Sequence, residues 1–250
     1  MAPASTSLEV HVEPITVRRE GSVAVVTLND GENRHSPDFV AAFLAAMDQV
    51  EADDGASAVV VASSDPKSWS QGIDLQWILP RLPEPAGRDE IREFLRSLDR
   101  MFARVLTFPM PTVAALSGHT FGDGAILACC FDFRLVRADR GFFCFPEVDL
   151  NIPFLPGMMA IVKSVVPEPA LTRWVLEGRR VPGPEMVQAG VAIKAVDGVE
   201  AVLAEAIAYA GTFSKGRPIV AALKHEMRRH LIEVFERVDP PVIDELRLLV

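Results

Sequence analysis

Apolar residues recur along the chain with two periods, one typical of strands and one typical of helices. Short runs rich in Val, Ile and Ala, bounded by Gly, Pro or Ser, predict strands. Apolar positions three and four residues apart predict amphipathic helices. Before Pro156 these patterns predict strands at 15–19, 23–28, 58–62, 112–116, 133–136 and 142–145, and helices at 37–53, 88–106 and 125–131.

After Pro156 the pattern changes, because helical spacing dominates and a strand is expected only at 191–196. The predicted helices lie near 157–165, 168–177, 184–190, 199–213, 217–236 and 240–249. This order predicts an α/β core over residues 1–196, followed by a C-terminal helical region over 197–250.

Composition narrows the classes of function. The net charge of -9 gives no basic surplus for displacing counterions, so nucleic acid is not expected as the main partner. Cys129, Cys130 and Cys144 are an odd number in apolar surroundings, which predicts reduced buried thiols and no metal site. The first seven residues resemble no secretory signal and no run is long enough to cross a bilayer, so a cytoplasmic protein is predicted.

Two segments share one design, a buried strand that enters a glycine-bearing turn and then a helix. The first turn contains Gly72, and the second contains Gly122 and Gly124. Glycine lets a backbone approach a ligand closely, and amides at the start of a helix attract negative charge. Together the two turns can supply a pair of amide donors to a developing oxyanion.

These segments resemble the crotonase (enoyl-CoA hydratase/isomerase) superfamily over nearly the whole chain. Residues 68–75 (SWSQGIDL) resemble its first oxyanion segment, F-x-A-G-x-D-L. Residues 117–124 (SGHTFGDG) resemble the second, N-G-x-x-x-G-G-G, and 145–153 (FPEVDLNIP) the segment with the catalytic carboxylate. The resemblance implies a ββα spiral core and an acyl-CoA thioester substrate, with no separate cofactor. It also implies that the C-terminal helices assemble homotrimers or dimers of trimers.

The resemblance implies a role for each matching residue. The amides of Ile73 and Asp123 would form the oxyanion hole, with Gly72 and Gly122 close to the substrate, and Glu147 would be the catalytic base. A carboxylate aimed at an enolate would repel it, so we predict that the Asp123 side chain points away from the substrate.

Ile126 occupies the position where hydratases of the superfamily have a second glutamate. Isoleucine performs no acid–base chemistry, which leaves Glu147 alone. The pattern therefore resembles the Δ3,Δ2-enoyl-CoA isomerase branch, in which one base moves a proton from C2 to C4. An enoyl-CoA hydratase and a non-catalytic acyl-CoA-binding protein are the alternatives.

The residues around Glu147 support this role independently, because Phe145, Pro146 and Val148 are apolar and burial raises a carboxyl pKa. Without the surrounding motif, a salt bridge at a strand end is the alternative for Glu147. Asp149 is a second possible base, although a structural or orienting role is favoured for it.

Several further residues have weaker signals. Asp74 is predicted to cap a helix that begins near Leu75. Trp69, Trp77 and Ile78 are candidates for lining the acyl tunnel, and core positions are the alternative. His119 is predicted to be a partly buried structural residue. The resemblance implies that Lys224 reaches the phosphates of coenzyme A, often across a subunit boundary, whereas a solvated helix face is the alternative.

Overall fold

The computed structural model describes residues 13–247. Its strands are β1 (Ile15–Glu20), β2 (Val23–Leu28), β3 (Arg34–His35), β4 (Ala58–Ser63), β5 (Ser68–Ser70), β6 (Gly72–Ile73), β7 (Thr112–Leu116), β8 (His119–Phe121), β9 (Phe133–Arg137), β10 (Phe143–Cys144) and β11 (Lys194–Val196). Its helices are α1 (Pro37–Ala52), α2 (Leu75–Ile78), α3 (Pro85–Leu106), α4 (Asp123–Cys130), α5 (Glu147–Leu150), α6 (Pro156–Val165), α7 (Glu168–Leu176), α8 (Gly183–Gln188), α9 (Val199–Ala210), α10 (Arg217–Arg237) and α11 (Asp239–Asp244), with a 3-10 turn at Leu79–Arg81. The predicted α/β class is confirmed.

The main sheet has the strand order β1-β2-β4-β7-β9-β11. β1 and β2 form an antiparallel hairpin, and the other neighbouring strands are parallel. A smaller parallel sheet, β10-β8-β5, and the two-stranded pair β3-β6 continue from the ends of the main strands. Strands, short strands and helices therefore follow one another in a repeating spiral.

Both faces of the main sheet are covered, which explains the continuous apolar run of β4. Val59 and Val61 pack into the large core that also contains α1 and α3. Val60 packs on the opposite face against α9, where Val202 and Ala206 are fully buried. Because successive strand residues point to opposite faces, both faces need apolar side chains.

The C-terminal helices pack on the rest of the chain. α9 covers one face of the main sheet, while α10 and α11 pack on α3, and α10 also packs on α6. Residue 197 as a domain boundary and the role of 197–250 in assembly stay predictions. The predicted helix at 240–249 is shorter than expected, because Leu246 adopts a φ of 51° that ends helical geometry, and residues 248–249 lie outside the described chain.

Ser36 caps α1 by accepting from the Phe39 amide at 3.1 Å, and Pro37 lies in the first turn of the helix. All three cysteines are free and buried, as predicted. Between residues 13 and 247 no helix is long and apolar enough to cross a membrane. The prediction about a leader concerns residues outside this range.

Candidate active site

A cavity of about 440 Å³ lies where β6, α3, α4 and α5 meet. Most of its lining is apolar, and its ionisable side chains are few. The apolar lining includes Ile73, Leu75, Ile78, Ile91, Leu95, Ile126, Phe154 and Met158, and the ionisable lining residues are Arg34, Asp123, Glu147, Asp149 and Arg180. Such a pocket is suited to a long apolar group attached to a polar reacting centre.

The two glycine-bearing turns touch at this cavity. Gly72 has a φ of 74°, and a Cβ built on it would lie 2.7 Å from the Phe121 carbonyl oxygen and 2.8 Å from the Asp123 amide nitrogen. No side chain fits at this distance, so only glycine permits both the φ angle and the approach. A backbone hydrogen bond holds the second turn in place, because the Gly122 amide donates to the Cys144 carbonyl at 2.9 Å.

The amides of Ile73 and Asp123 are the two donors that the family resemblance implies, and their role as an oxyanion hole stays a prediction. The amide of Asp74 donates to the His35 carbonyl at 2.9 Å, and successive strand amides point in opposite directions, so the Ile73 amide points away from β3. Asp123 is the first residue of α4, which begins two residues earlier than predicted. First-turn amides have no carbonyl partner within their helix, so the Asp123 amide is available to a ligand.

Glu147 lies at the start of α5, directly beside the second turn. A Cβ built on Gly122 would lie 3.4 Å from Glu147 Oε1. Oε2 is buried and has no hydrogen-bond partner among the described residues. Burial raises the pKa of Glu147 to about 7; its own backbone amide opposes this rise, and the charge of Asp123 adds to it. A carboxyl with a pKa near neutrality both accepts and returns a proton.

Ile126 lines the cavity one turn after the Asp123 amide and is 1% exposed. Its side chain is a branched aliphatic group, so this part of the lining carries no carboxylate. Every residue of α4 is buried, so its neighbours offer no solvated acid at this position.

Asp123 turns its side chain towards β3. Its Oδ2 lies 2.5 Å from Nδ1 of His35, and both side chains are buried. The sequence predicted that the Asp123 side chain points away from the substrate, but it did not identify His35 as the partner. Because 88 residues separate the two, no local spacing could have indicated the contact.

Trp77 does not line the cavity, which corrects the expectation that it contacts the acyl chain. Its ring packs at 5.2 Å from the ring of Phe94, and the Arg81 guanidinium lies 4.0 Å above it. Ile78, the next residue of α2 and also a candidate, lines the cavity, whereas Trp69 is fully buried and does not line it. Asp74 caps this helix by accepting from the amides of Gln76 and Trp77, as predicted.

Lys224 is also away from the cavity, and the expectation that it reaches coenzyme A phosphates is not supported within the chain. It is 5% exposed, and its Nζ donates to Asp132 Oδ2 at 2.7 Å. The backbone carbonyls of Val105 and Met110 accept from the same amine at 3.4 and 3.3 Å. A cation held by three acceptors in the interior is not presented to a phosphate.

His119 and Asp149 differ in their relation to the cavity. His119 does not line it; its ring packs against Phe121 and Phe142 at 5.2 and 5.8 Å, and burial lowers its pKa. These contacts agree with a structural role. Asp149 lines the cavity but is exposed, and its Oδ2 would lie 2.6 Å from a Cβ built on Gly178.

Two arginines at the rim of the cavity were missed by sequence reasoning. Arg180 is exposed, with its Cζ 5.9 Å from the centre of the Phe121 ring, and Arg34 pairs with Glu32 at 2.8 Å. Neither belongs to a glycine-bearing motif, and only folding brings them to the cavity. They give the rim positive charge near a site that otherwise contains acids.

Comparison with known proteins agrees with this geometry. The model of the enoyl-CoA hydratase/isomerase family matches residues 18–238. Enoyl-CoA delta isomerase 2, peroxisomal, of Arabidopsis thaliana is 30% identical over 178 residues, which cover 70% of this chain and 74% of the relative. A putative enoyl-CoA hydratase of Thermus thermophilus is 36% identical over 211 residues, which cover 83% and 81%.

Solved structures show the same fold. The human mitochondrial delta3-delta2-enoyl-CoA isomerase superposes with a TM-score of 0.84 at 20% identity, covering 93% of this chain and 90% of that one. An apo enoyl-CoA isomerase of Mycobacterium tuberculosis superposes with a TM-score of 0.82 at 25% identity, covering 93% and 98%. With a family match over most of its length and these relatives, the chain belongs to the enoyl-CoA hydratase/isomerase family of the crotonase superfamily.

Proposed function

We propose that this protein is a Δ3,Δ2-enoyl-CoA isomerase. One observation carries the proposal: Glu147 is a half-buried residue whose Oε2 is buried without a hydrogen-bond partner among residues 13–247, in a mainly apolar cavity that the Asp123 turn and Ile126 also line. This arrangement favours a reaction that needs one proton carrier and an oxyanion hole.

The amides of Ile73 and Asp123 would bind the thioester oxygen of the substrate. Donors fixed by the backbone need no reorganisation as charge develops on that oxygen, and one such donor contributes about 3 kcal/mol to a transition state. Their effect is to make the C2 proton of a 3-enoyl thioester more acidic, because the resulting charge is delocalised onto the oxygen.

Glu147 would carry the proton. The carboxylate takes the proton from C2, and the electron pair of that C–H bond forms the dienolate, with its charge on the thioester oxygen. The dienolate then takes the same proton from Glu147 at C4, so that the double bond moves from C3–C4 to C2–C3 and the carboxylate is regenerated. No electrons leave the substrate, so the proposed reaction is redox-neutral and requires no redox cofactor.

Hydration is the second candidate, because some relatives are named hydratases. Adding water across a double bond requires a group that activates the water and a group that delivers a proton to carbon. Asp149 is an exposed acid of the cavity lining and would have to supply one of these roles. A non-catalytic acyl-CoA-binding protein is the third candidate and would need the same cavity without turnover.

Supplying 3-hexenoyl-CoA and 2-hexenoyl-CoA separately tests the three candidates. We expect the wild type to conjugate the former and to leave the latter without added water. Glu147→Gln should lower kcat at least 100-fold, because general acid–base groups contribute about 100- to 10,000-fold. Glu168→Gln on α7, an exposed acid outside the cavity, is the matched control.

Other outcomes would support the rival candidates. Hydration of 2-hexenoyl-CoA that Asp149→Asn abolishes would favour the hydratase. Tight binding of both compounds with no turnover of either would favour the binding protein. Isomerisation that Glu147→Gln leaves unchanged would refute the proposed base.

Assembly as a homotrimer or dimer of trimers is proposed as well, and light scattering of the purified protein would determine it. A cytoplasmic location remains a proposal, since relatives include peroxisomal forms.

A further inference from the structure

A row of three buried polar side chains lies beneath the two amides of the candidate oxyanion hole. Asp123 Oδ2 lies 2.5 Å from His35 Nδ1, and His35 Nε2 lies 3.1 Å from Ser70 Oγ. His35 and Ser70 are 0% exposed, and Asp123 is 4% exposed. The proposed proton transfer by Glu147 uses none of these side chains, so their cost of burial needs another explanation.

The row has the order of a hydrolytic triad, but Ser70 cannot act as a nucleophile. Its hydroxyl donates to the Asn33 carbonyl at 2.7 Å and does not line the cavity. A Cβ built on Gly124 would lie 2.6 Å from Ser70 Oγ, so the hydroxyl is packed against the backbone of α4. An acyl group has no path to this oxygen.

The hydrogen bonds of Ser70, His35 and Asp123 determine where the protons of the row lie. Ser70 has one hydroxyl hydrogen, which it donates to Asn33, and it accepts from the Gly72 amide at 3.1 Å. In the 3.1 Å contact between Ser70 Oγ and His35 Nε2, the hydroxyl oxygen must therefore accept, so Nε2 carries a hydrogen. A second proton must lie between His35 Nδ1 and Asp123, because two lone pairs at 2.5 Å would repel. With both protons present, the pair of side chains has no net charge.

The same pair connects the two halves of the oxyanion hole. His35 is the register partner of Ile73 in the β3–β6 pair, and Ile73 provides one amide. Asp123 provides the other amide from the first turn of α4. A hydrogen bond from the side chain of His35 to the side chain of Asp123 therefore fixes the distance between the strand and the helix that hold the donors.

We propose that His35 and Asp123 form a charge-neutral positioning pair that aligns the Ile73 and Asp123 amides on the thioester oxygen. The inference rests on the proposed function and adds two residues to its machinery. The superfamily motif has glycine in place of Asp123, and a bare carboxylate at this position would oppose a developing enolate. The proton shared with His35 removes that repulsion, and the hydrogen bond adds a constraint that glycine does not provide.

Carbonyl polarisation is the readout that separates positioning from general stability. The probe is hexanoyl-CoA with a 13C-labelled carbonyl, which has no double bond to isomerise, and isotope-edited infrared spectroscopy measures its stretching frequency when bound. Donors aimed at the oxygen lower this frequency. We expect His35→Phe to lose about half or more of the wild-type shift and to lower kcat for 3-hexenoyl-CoA about 100-fold, since small misplacements cost this much. Its KM should change less than about threefold, because the interaction acts mainly in the transition state.

Three further variants complete the design. Asp123→Asn keeps a neutral hydrogen-bonding side chain beside His35 and should retain the wild-type frequency shift. The double variant His35→Phe with Asp123→Gly removes the unpaired carboxylate and should recover kcat to within about tenfold of wild type. Lys224→Met, which breaks the buried pair with Asp132 away from the cavity, is the control for destabilisation alone and should leave the shift unchanged.

Each contrary result has a defined meaning. A wild-type shift in His35→Phe, an equal loss in Lys224→Met, or no recovery in the double variant would overturn the positioning pair. A larger carbonyl frequency shift in Asp123→Asn than in the wild type would overturn the neutrality of the His35–Asp123 pair. A wild type that binds and polarises hexanoyl-CoA but does not isomerise 3-hexenoyl-CoA overturns the proposed function alone. A wild type that binds no acyl-CoA overturns both.

Discussion

Replacing Glu147 by glutamine should stabilise the protein at neutral pH while it removes the proposed base. Burial raises the pKa of Glu147 from 4.5 to about 7 in the folded protein, and each pKa unit corresponds to about 1.4 kcal/mol. Below pH 4.5 the carboxyl is protonated in the folded and the unfolded state, so its ionisation does not change the free energy of unfolding. Between pH 4.5 and 7 the unfolded chain releases a proton that the folded protein keeps, so stability falls as pH rises. Above pH 7 the full cost of about 3 kcal/mol is present.

Urea unfolding of wild type and Glu147→Gln between pH 5 and pH 8, at one protein concentration, measures this cost. The difference in free energy of unfolding should increase by about 2–3 kcal/mol in favour of the variant over that range. The glutamine amide adds a penalty for buried unpartnered hydrogens, but that penalty is independent of pH and leaves the slope unchanged. Other buried acids, such as Asp99, are present in both proteins and cancel. Parallel curves for the two proteins would refute the raised pKa and, with it, the physical case for Glu147 as a base at neutral pH.

Three other substitutions test separate parts of the structure. Gly72→Ala should lower kcat at least about 100-fold and destabilise the fold by about 1–3 kcal/mol, because the new Cβ would meet Phe121 and Asp123 and the φ angle is positive. Kinetics and urea unfolding measure the two effects, and an active, stable variant would contradict the close contact of the two turns. Burial, with smaller contributions from nearby acids, raises the pKa of Asp99 to about 8, so Asp99→Asn should gain stability over wild type as pH rises from 5 to 9, and a constant difference in melting temperature across that range would argue against it. Lys224→Met should leave the KM for 3-hexenoyl-CoA within about threefold of wild type while costing about 3 kcal/mol of stability, whereas a tenfold rise in KM with unchanged stability would restore a phosphate-binding role.

Much of the fold could be predicted from local patterns. The run at 58–62 is apolar without alternation, and β4 is buried on both faces. Ser36 with Pro37 and Asp74 with Leu75 are local cap signals, and both caps form. These predictions succeeded because a strand face, a helix start or a cap depends on residues within a few positions of one another.

The candidate site was predictable only in part. The glycine turns and Glu147 are sequence motifs, and all three meet at one cavity. Trp77 was misplaced because helical spacing identifies an apolar face but does not say which side of a short helix faces a cavity. Lys224 was misplaced because charge suggests exposure, whereas Asp132 and two carbonyls hold this amine in the interior.

The sequence alone determined the α/β class, the two glycine turns, the apolar setting of Glu147 and the aliphatic side chain of Ile126, because each depends on neighbouring residues in the chain. Only the tertiary structure decided that the Asp123 carboxylate meets His35, that Arg34 and Arg180 border the cavity, and that Oε2 of Glu147 has no hydrogen-bond partner within residues 13–247. These facts depend on distances between residues remote in sequence, and it is desolvation and hydrogen bonding at those distances that set the charge and the proton affinity of the site.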